Sequence, residues 1–374
     1  MKSLIALVLC LAVLGPATAQ TRAEAAPWRE VSSHDLAREM APGWNLGNSL
    51  EAIGGETNWG NARTTQPLIQ AVKAAGFKSI RIPLAWKQYT DAQGRIKPEW
   101  LARVTEVVGW AREAGLVVMI NIHWDGGWMQ PTAKHQDEVN QRLALYWTQI
   151  AEHFKDHDEG LLFAGTNEVM VEGDYGKPKA EYARAQNSFN QTFVTTVRAT
   201  GGHNPRRHLI VQGFNTNIDH TVDFAVLPQD PTPARLMMEV HYYDPYEFTL
   251  NNEGKIWQWG RNATDAKLTA AWGGESHADK QFDKMKTHFV AKGVPVILGE
   301  YGAVTRPAEP RAARYRADWN AYITRAAHQR GIVPVYWDNG VHGKKEGFAI
   351  FDRATGQVLD AELLQAIMGA VAAR

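Results

Sequence analysis

The chain has 374 residues, in which 40 lysines and arginines balance 40 aspartates and glutamates. Because a nucleic-acid-binding protein needs a basic surface, this balance argues against nucleic acid as a partner. The length is sufficient for one large domain with its own hydrophobic core.

The first 19 residues have the pattern of a secretory signal peptide. A basic start is followed by an apolar run over residues 4–14 and by small residues at 17–19. The run is too short to span a bilayer, and no later segment approaches the roughly 20 apolar residues that a span needs. The only cysteine, Cys10, lies in this leader, so the mature chain would form no disulfide. We therefore expect an exported protein, extracellular or periplasmic, without a membrane segment after cleavage.

Short apolar runs with the character of buried strands alternate with amphipathic stretches along the rest of the chain. The predicted strands are 42–46, 79–82, 117–122, 161–165, 208–212, 235–240, 295–298 and 333–336. Helical periodicity predicts helices at 98–113, 136–157, 180–199, 279–292 and 308–330.

This alternation predicts the α/β class and a single-domain (β/α)8 TIM barrel over residues 20–374. An open doubly wound sheet is the competing architecture, but no Gly-x-Gly-x-x-Gly turn follows the first strand. Short helix-to-strand turns and longer strand-to-helix loops favour a barrel whose function lies on one face.

Two glutamates follow buried strands of this predicted barrel. Glu168 ends the segment Leu-Leu-Phe-Ala-Gly-Thr-Asn-Glu, and Glu300 ends Val-Pro-Val-Ile-Leu-Gly-Glu. In a closed barrel both would face the same mouth, and the strand positions predict a gap of roughly 5 to 7 Å between the carboxylates. Glycosidases hold their two carboxylates at such distances, but this range does not distinguish retaining from inverting chemistry.

Other functional side chains stand near the ends of predicted strands, namely Arg81, His123, His241, Tyr243 and Trp337. Any one of them alone is more often part of an ion pair at the barrel rim, or a buried polar group whose hydrogen bonds are made within the protein. Several polar groups that converge on one mouth are costly to bury unless they serve a site. The sequence therefore predicts an active site at that mouth.

The chain resembles glycoside hydrolase family 5, the family of cellulases and their relatives. The resemblance rests on motifs spread in order along the chain: Gly-Trp-Asn-Leu-Gly-Asn at 43–48, Ile-Arg-Ile-Pro at 80–83, Asn-Ile-His at 121–123, Asn-Glu at 167–168, His-Tyr-Tyr at 241–243, Gly-Glu-Tyr-Gly at 299–302 and Tyr-Trp at 336–337. It implies a (β/α)8 barrel and a retaining mechanism, with Glu168 as acid/base and Glu300 as nucleophile.

The resemblance also implies roles for the neighbouring residues. Arg81 and Tyr243 would favour the charged form of Glu300, whereas Glu168 should have a raised pKa so that it holds a proton. Asn167 would bind the sugar 2-hydroxyl. His123 and His241 would orient hydroxyl groups and carboxylates, and the substrate-binding candidates include Asn45 and the ring of Trp337.

Nine of the 14 tryptophans fall at or after predicted strand ends. A large rigid ring suits stacking on a pyranose face, although a ring packed beneath a loop is an equally good explanation for any single one. The cluster favours an extended cleft for a polymer. We take Trp124 and Trp128 as binding candidates, and Trp257 or Trp259 as a platform on the long loop after the sixth strand.

Two departures from the family pattern make the substrate less certain than the reaction. Val169 follows Glu168 where family members often have proline, and Trp124 stands where many cellulases have a second histidine. We expect an endo-β-1,4-glucanase, with xyloglucan or mannan as alternative substrates. A non-catalytic carbohydrate-binding barrel is a second alternative.

A metal-dependent barrel hydrolase is disfavoured because the first strand, Trp44-Asn45-Leu46, lacks the histidine pair that such enzymes usually need. Loss of activity when a chelator is added would favour a metal-dependent hydrolase after all. We expect no cofactor and no metal, a β-glucan polysaccharide as the binding partner, and a monomer.

Overall fold

A computed structural model describes residues 27–372, so the predicted signal peptide lies outside the described residues. Eight parallel strands form a closed barrel in sequence order. They are β1 Gly43–Leu46, β2 Ser79–Ile82, β3 Val117–Asn121, β4 Leu161–Ala164, β5 Leu209–Gln212, β6 Leu236–Tyr242, β7 Val296–Tyr301 and β8 Ile332–Asp338. The predicted (β/α)8 barrel and all eight predicted strands are confirmed.

Three strands extend beyond their predicted ends. β6, β7 and β8 run two or three residues further because their polar residues still pair along the barrel: His241 lies opposite Glu300, and Trp337 lies opposite Asn45. Predicted ends were placed where apolar runs stop, and such runs cannot reveal pairing that continues through functional side chains.

The α-helices of the described region pack against the barrel. They are α1 Ser33–Arg38, α2 Gln66–Ala74, α3 Pro98–Glu113, α4 Gln136–Phe154, α5 Ala180–Ala199, α6 Ile218–Phe224, α7 Tyr246–Thr249, α8 Glu275–His288, α9 Ala312–His328 and α10 Ala361–Ala372. The predictions for α3 and α5 are confirmed to the residue. The helix predicted at 279–292 instead begins at Glu275 and gives way to a short 3₁₀ turn at Val290–Lys292. No helix within residues 27–372 is long and apolar enough to cross a membrane.

The barrel interior is apolar at one end and polar at the other. Leu36 and Met40, from the segment that begins with α1, pack against inward-facing strand residues such as Met119 and Ile297. The Ser79 hydroxyl also donates to the Met40 carbonyl at 2.7 Å. Because α1 closes the end where the strands begin, the opposite mouth, at the carboxyl ends of the strands, is left for polar side chains.

Candidate active site

The structure brings Glu168 and Glu300 together at this mouth. Glu300 is the penultimate residue of β7, and Glu168 lies on the loop after β4. One carboxylate oxygen of each, together with a ring nitrogen of His241, lie within 4.8 Å of one another. The side chain of Glu300 is 7% exposed, whereas that of Glu168 is 43% exposed. One carboxylate is therefore enclosed by protein and the other faces the cleft.

A β-bulge aims Glu300 into the mouth. Val240 pairs with Leu298 and the next residue, His241, pairs with Glu300, so Gly299 is an extra residue on β7. A bulge of this kind redirects the side chain that follows it. The loop residue Glu168 also has an unusual backbone, with φ at +46°, in the left-handed region that non-glycine residues seldom adopt. Strain of this kind is concentrated at functional sites.

The Arg81 guanidinium holds several residues of the site. Its Nη1 donates to Glu300 Oε1 at 2.8 Å and to Asn45 Oδ1 at 3.0 Å, while Nη2 donates to Asn167 Oδ1 at 2.5 Å. Its Nε lies 3.0 Å from Glu239 Oε1. A buried guanidinium requires acceptors in a fixed geometry, so Arg81 sets the positions of residues from several different elements.

Asn45 does not reach the cleft, which corrects its prediction as a substrate-binding residue. Its side chain is fully buried, and its amide nitrogen donates to the Gly299 carbonyl at 2.8 Å. Weaker bonds run to the carbonyls of Val335 and Tyr336. Asn45 therefore joins β1 to β7 and β8, and its Oδ1 accepts from Arg81.

Tyr243 and His123 also lie where the sequence predicted a site. The Tyr243 hydroxyl donates to Glu300 Oε2 at 3.2 Å, and burial raises its pKa well above the ordinary value, so it stays protonated. The ring of His123 lies parallel to that of Trp337 at a centroid distance of 5.9 Å. Burial, with the nearby Arg81 charge, holds the pKa of His123 well below its usual range, so this ring is neutral.

His241 lies between two carboxylates. Its Nδ1 is 2.7 Å from Glu168 Oε1, and its Nε2 is 3.1 Å from Glu239 Oε1. Burial favours the neutral ring, but the charge of Glu300 and the bonds to Glu168 and Glu239 outweigh it and raise the pKa of His241 to about 9. The imidazole is therefore a cation at neutral pH.

This cation reverses the pKa order that the sequence predicted. Burial acts to raise the pKa of Glu168, but the hydrogen bond and charge of His241 outweigh it and lower that pKa. Burial, with repulsion from the other carboxylates, raises the pKa of Glu300 against the opposing charges of His241 and Arg81. The prediction of a raised pKa for Glu168 in the free enzyme is wrong because it did not place His241 in contact with that carboxylate.

Sequence reasoning missed two residues of the site, Gln212 and Glu239. Gln212 Oε1 accepts the backbone N–H of Glu168 at 3.2 Å and so holds the strained loop. Glu239 contacts Arg81 and His241 from within β6. A signal for Glu239 was available, because a charge inside the run Leu-Met-Met-Glu-Val is rarely buried without partners.

Comparison with known proteins decides the family. The model of the family described as Cellulase (glycosyl hydrolase family 5) matches residues 45–343. The chain is 39% identical to Endoglucanase A of Paenibacillus barcinonensis over 96% of each chain. It is 40% identical to a xyloglucan-specific endo-β-1,4-glucanase of Bacteroides ovatus, over 91% of this chain and 70% of that one. The chain belongs to glycosyl hydrolase family 5.

A solved structure of this family has the same architecture. The Bacteroides ovatus family 5 xyloglucanase, in complex with a XXXG heptasaccharide, superposes with a TM-score of 0.87 at 39% identity. The superposition covers 92% of this chain and 77% of that chain. The family resemblance read from the motifs is therefore confirmed, and the chain is a glycoside hydrolase.

The cleft of this family 5 enzyme extends to both sides of Glu168. One side is lined by His123, Trp124 and Asn167, and Trp124 is 55% exposed. The other side is lined by residues that include Tyr243 and Trp272, while exposed Tyr175 borders both sides. An aromatic-walled cleft that is open on two sides of the carboxylate pair suits a chain that passes through it.

Three predicted tryptophan platforms are buried and cannot stack on a sugar. The Trp128 indole donates to Asp125 Oδ2 at 2.8 Å, and the Trp259 indole donates to the Gly273 carbonyl at 2.8 Å. Trp257 packs edge-on against Tyr315. These rings are 9% exposed or less. They stabilise their own loops, so the predictions for Trp128, Trp257 and Trp259 are wrong, and Trp124 is the one of the four that faces the cleft.

Replacing Trp124 and Trp257 separately by alanine distinguishes a sugar platform from a packed ring. We expect Trp124→Ala to raise KM for a soluble β-glucan by about fivefold, from the loss of roughly 1 kcal/mol of stacking, with little change in unfolding free energy. Trp257→Ala should leave KM unchanged and lower the unfolding free energy by about 3 to 5 kcal/mol. Steady-state kinetics and urea unfolding measure both quantities, and a KM effect confined to Trp257→Ala would contradict this assignment.

Proposed function

We propose that this family 5 enzyme is an endo-β-1,4-glucanase that cleaves internal bonds of cellulose-like β-glucans with net retention. The observation that carries the proposal is the close carboxylate pair, within 4.8 Å, in a cleft that continues past it on both sides. Retaining glycosidases hold their carboxyl groups about 5 to 5.5 Å apart, whereas inverting enzymes need about 6.5 to 9.5 Å to admit a water molecule.

Glu300 is the proposed nucleophile. Arg81 binds its Oε1 and Tyr243 binds its Oε2, so the carboxylate is held in one orientation beneath the substrate. Its oxygen forms a bond to the anomeric carbon while the glycosidic C–O bond breaks, and the leaving oxygen takes a proton from Glu168. Glu168 then removes a proton from water, which attacks the glycosyl ester and releases the Glu300 carboxylate.

Asn167 and Trp337 are the residues proposed to bind the sugar at the reacting bond. Because the Asn167 carbonyl oxygen accepts from Arg81, its amide N–H groups remain for the substrate, and a bond to the sugar 2-hydroxyl would strengthen in the transition state. The Trp337 ring lies over Gly47, where a Cβ would come within 2.9 Å of ring carbons. Glycine at this position therefore allows the ring to form the floor of the cleft.

Xyloglucan is the second candidate substrate. The Bacteroides ovatus relative, 40% identical over 91% of this chain, is named a xyloglucan-specific endo-β-1,4-glucanase. The bond in that name is the same β-1,4 bond that we propose for this enzyme. A cleft that is open on both sides of Glu168 leaves room for a chain that carries side-chain sugars. Mannan is the remaining alternative substrate.

The substrate is tested by reducing-end release from carboxymethyl-cellulose, mixed-linkage β-glucan, xyloglucan and galactomannan, run side by side. We expect cleavage of the glucans with little release from galactomannan. A dominant rate on xyloglucan would select the second candidate, and a dominant rate on galactomannan would overturn the glucanase proposal. Absence of release from all four would overturn the proposed endoglucanase activity.

The carboxylate roles are tested by Glu300→Gln and Glu168→Ala. Glu300→Gln should abolish turnover, with a loss of about 10⁴-fold or more, while the thermal unfolding midpoint stays near that of the wild type. Glu168→Ala should lose about 10² to 10⁴-fold on polysaccharide but retain cleavage of an aryl glycoside whose leaving group needs no proton. Azide should partly restore the second step. Equal losses on both substrates would show that Glu168 is not the acid.

Export and the monomeric state are also proposals, drawn from residues 1–19 and from the single barrel. Expression with the leader intact, followed by mass measurement of the exported protein, should give a mature chain that begins at Gln20. Retention of the full-length chain in the cytoplasm would contradict export. Light scattering of the mature protein should give the mass of one chain.

A further inference from the structure

Glu239 is a third carboxylate of the site, and the mechanism above does not use it. Within β6, Met237, Glu239 and His241 alternate onto one face, and Met237 belongs to the cluster inside the barrel. Glu239 therefore points inward, and its side chain is 1% exposed. An ionised carboxylate in such a place is costly unless its partners compensate for lost hydration.

One oxygen of Glu239 is linked to both catalytic carboxylates. Oε1 lies 3.0 Å from Arg81 Nε and 3.1 Å from His241 Nε2. Arg81 in turn binds Glu300, and His241 binds Glu168. A single residue therefore separates Glu239 from each member of the reacting pair.

The backbone next to Glu300 leaves space for this carboxylate. A Cβ at Gly299 would lie 2.1 Å from Glu239 Oε1 and 2.7 Å from its Cδ, distances that no side chain can occupy. Gly299 is also the extra residue of the bulge that aims Glu300 into the mouth. The position of Glu239 and the position of Glu300 thus depend on the same glycine.

Glu239 also selects the form of His241. When the imidazole is neutral, one ring nitrogen carries hydrogen and the other accepts. A carboxylate at Nε2 keeps the hydrogen there, which leaves Nδ1 able to exchange a proton with Glu168 across their 2.7 Å contact. A second partner that fixes the tautomer of a working histidine is a recurrent arrangement in enzymes.

We propose that Glu239 is a positioning residue that holds the Nε2 hydrogen of His241, so that Nδ1 and Glu168 share the proton that is delivered to the leaving oxygen. The proposal rests on the roles assigned above to Glu168 and Glu300. It accounts for how Glu168 can act as an acid while in contact with a cation.

The proton balance closes over both steps. In the free enzyme the His241–Glu168 pair holds one shared proton in addition to the Nε2 hydrogen. Glycosylation transfers the shared proton to the leaving oxygen, which leaves a Glu168 carboxylate and a neutral His241 bound through Nε2 to Glu239. Hydrolysis returns one proton from water to the pair as the Glu300 ester breaks.

The charges around His241 determine the direction of the pH effect. Glu168 faces the ring from the loop after β4, Glu239 from β6 and Glu300 from β7, with Arg81 of β2 beyond Glu239. The hydroxyl of Tyr243 and the ring of His123 are uncharged neighbours.

Activity needs the shared proton, so it falls as pH rises through the pKa of the His241–Glu168 pair. Loss of the Glu239 charge removes a group that raises that pKa, so the alkaline limb should move to lower pH.

The test compares Glu239→Gln with Glu159→Gln on two substrates. Glu159 lies on the segment that leads into β4, remote from the mouth, and its buried carboxylate binds Arg29. The Glu159→Gln variant therefore controls for the loss of a buried charge. The substrates are cellopentaose, whose leaving group needs a proton, and 2,4-dinitrophenyl β-cellobioside, whose leaving group does not.

For Glu239→Gln we expect kcat/KM on cellopentaose to fall about 100-fold, and on the dinitrophenyl glycoside less than about tenfold. The alkaline limb of the cellopentaose profile should move down by about 1 pH unit or more, while Glu159→Gln should leave it in place. Equal losses on both substrates with an unmoved limb would show that Glu239 has a structural role only. An inactive wild-type enzyme on both substrates would instead overturn the proposed function.

If Glu239→Gln does not fold, the wild-type enzyme answers the same question. Nitrogen-15 NMR of histidine-labelled protein, with His241 assigned by signal loss in His241→Asn, reports which ring nitrogen carries hydrogen at a pH above the alkaline limb. We expect hydrogen on Nε2, because Glu239 accepts there. Hydrogen on Nδ1 would overturn the proposal.

Discussion

The buried guanidinium of Arg81 is the interaction on which the active site depends. It binds Glu300, Asn167, Glu239 and Asn45, which come from β7, the loop after β4, β6 and β1. Three strands and one loop each contribute an acceptor, so these groups come together only in the closed barrel. A cation in this position requires negative partners, and Glu239 and Glu300 supply them.

The electrostatic balance of this cluster explains why an acid and a nucleophile can coexist at short range. Arg81 and protonated His241 face Glu168, Glu239 and Glu300, so full ionisation would leave one uncompensated negative charge. Two interacting carboxylates titrate as a pair, and a histidine between them extends that coupling to a third group. The proton needed for departure of the leaving group is therefore a property of the cluster rather than of Glu168 alone.

The two ends of the barrel have separate tasks. At one end, apolar residues from α1 and the strand starts pack into a closed core. At the other end, the functional groups are positioned by irregular features of the backbone. These are the strands that continue through polar residues, the bulge at Gly299 and the strained backbone of Glu168. The rigid closed end supports the irregular end, as is general for barrels of this kind.

Much of this arrangement was predictable from the sequence because its signals are local. Apolar runs located the eight strands, and the position of Glu168 and Glu300 after two of them placed both at one mouth. The orientation of tryptophans was not predictable, because a residue at a strand end says nothing about whether a loop folds over it, as happens to Trp257. The pKa order and the part played by Glu239 depend on contacts between β2, β4, β6 and β7 that only the closed barrel creates.

Trapping of the glycosyl enzyme tests the central assignment most directly. The wild-type enzyme is incubated with 2,4-dinitrophenyl 2-deoxy-2-fluoro-β-cellobioside, digested, and its peptides are analysed by mass spectrometry. The account predicts one added fluoroglycosyl unit, located by fragmentation on Glu300, because Arg81 and Tyr243 hold that carboxylate beneath the anomeric carbon. An adduct on Glu168, or release of dinitrophenol without any adduct or inactivation, would contradict it.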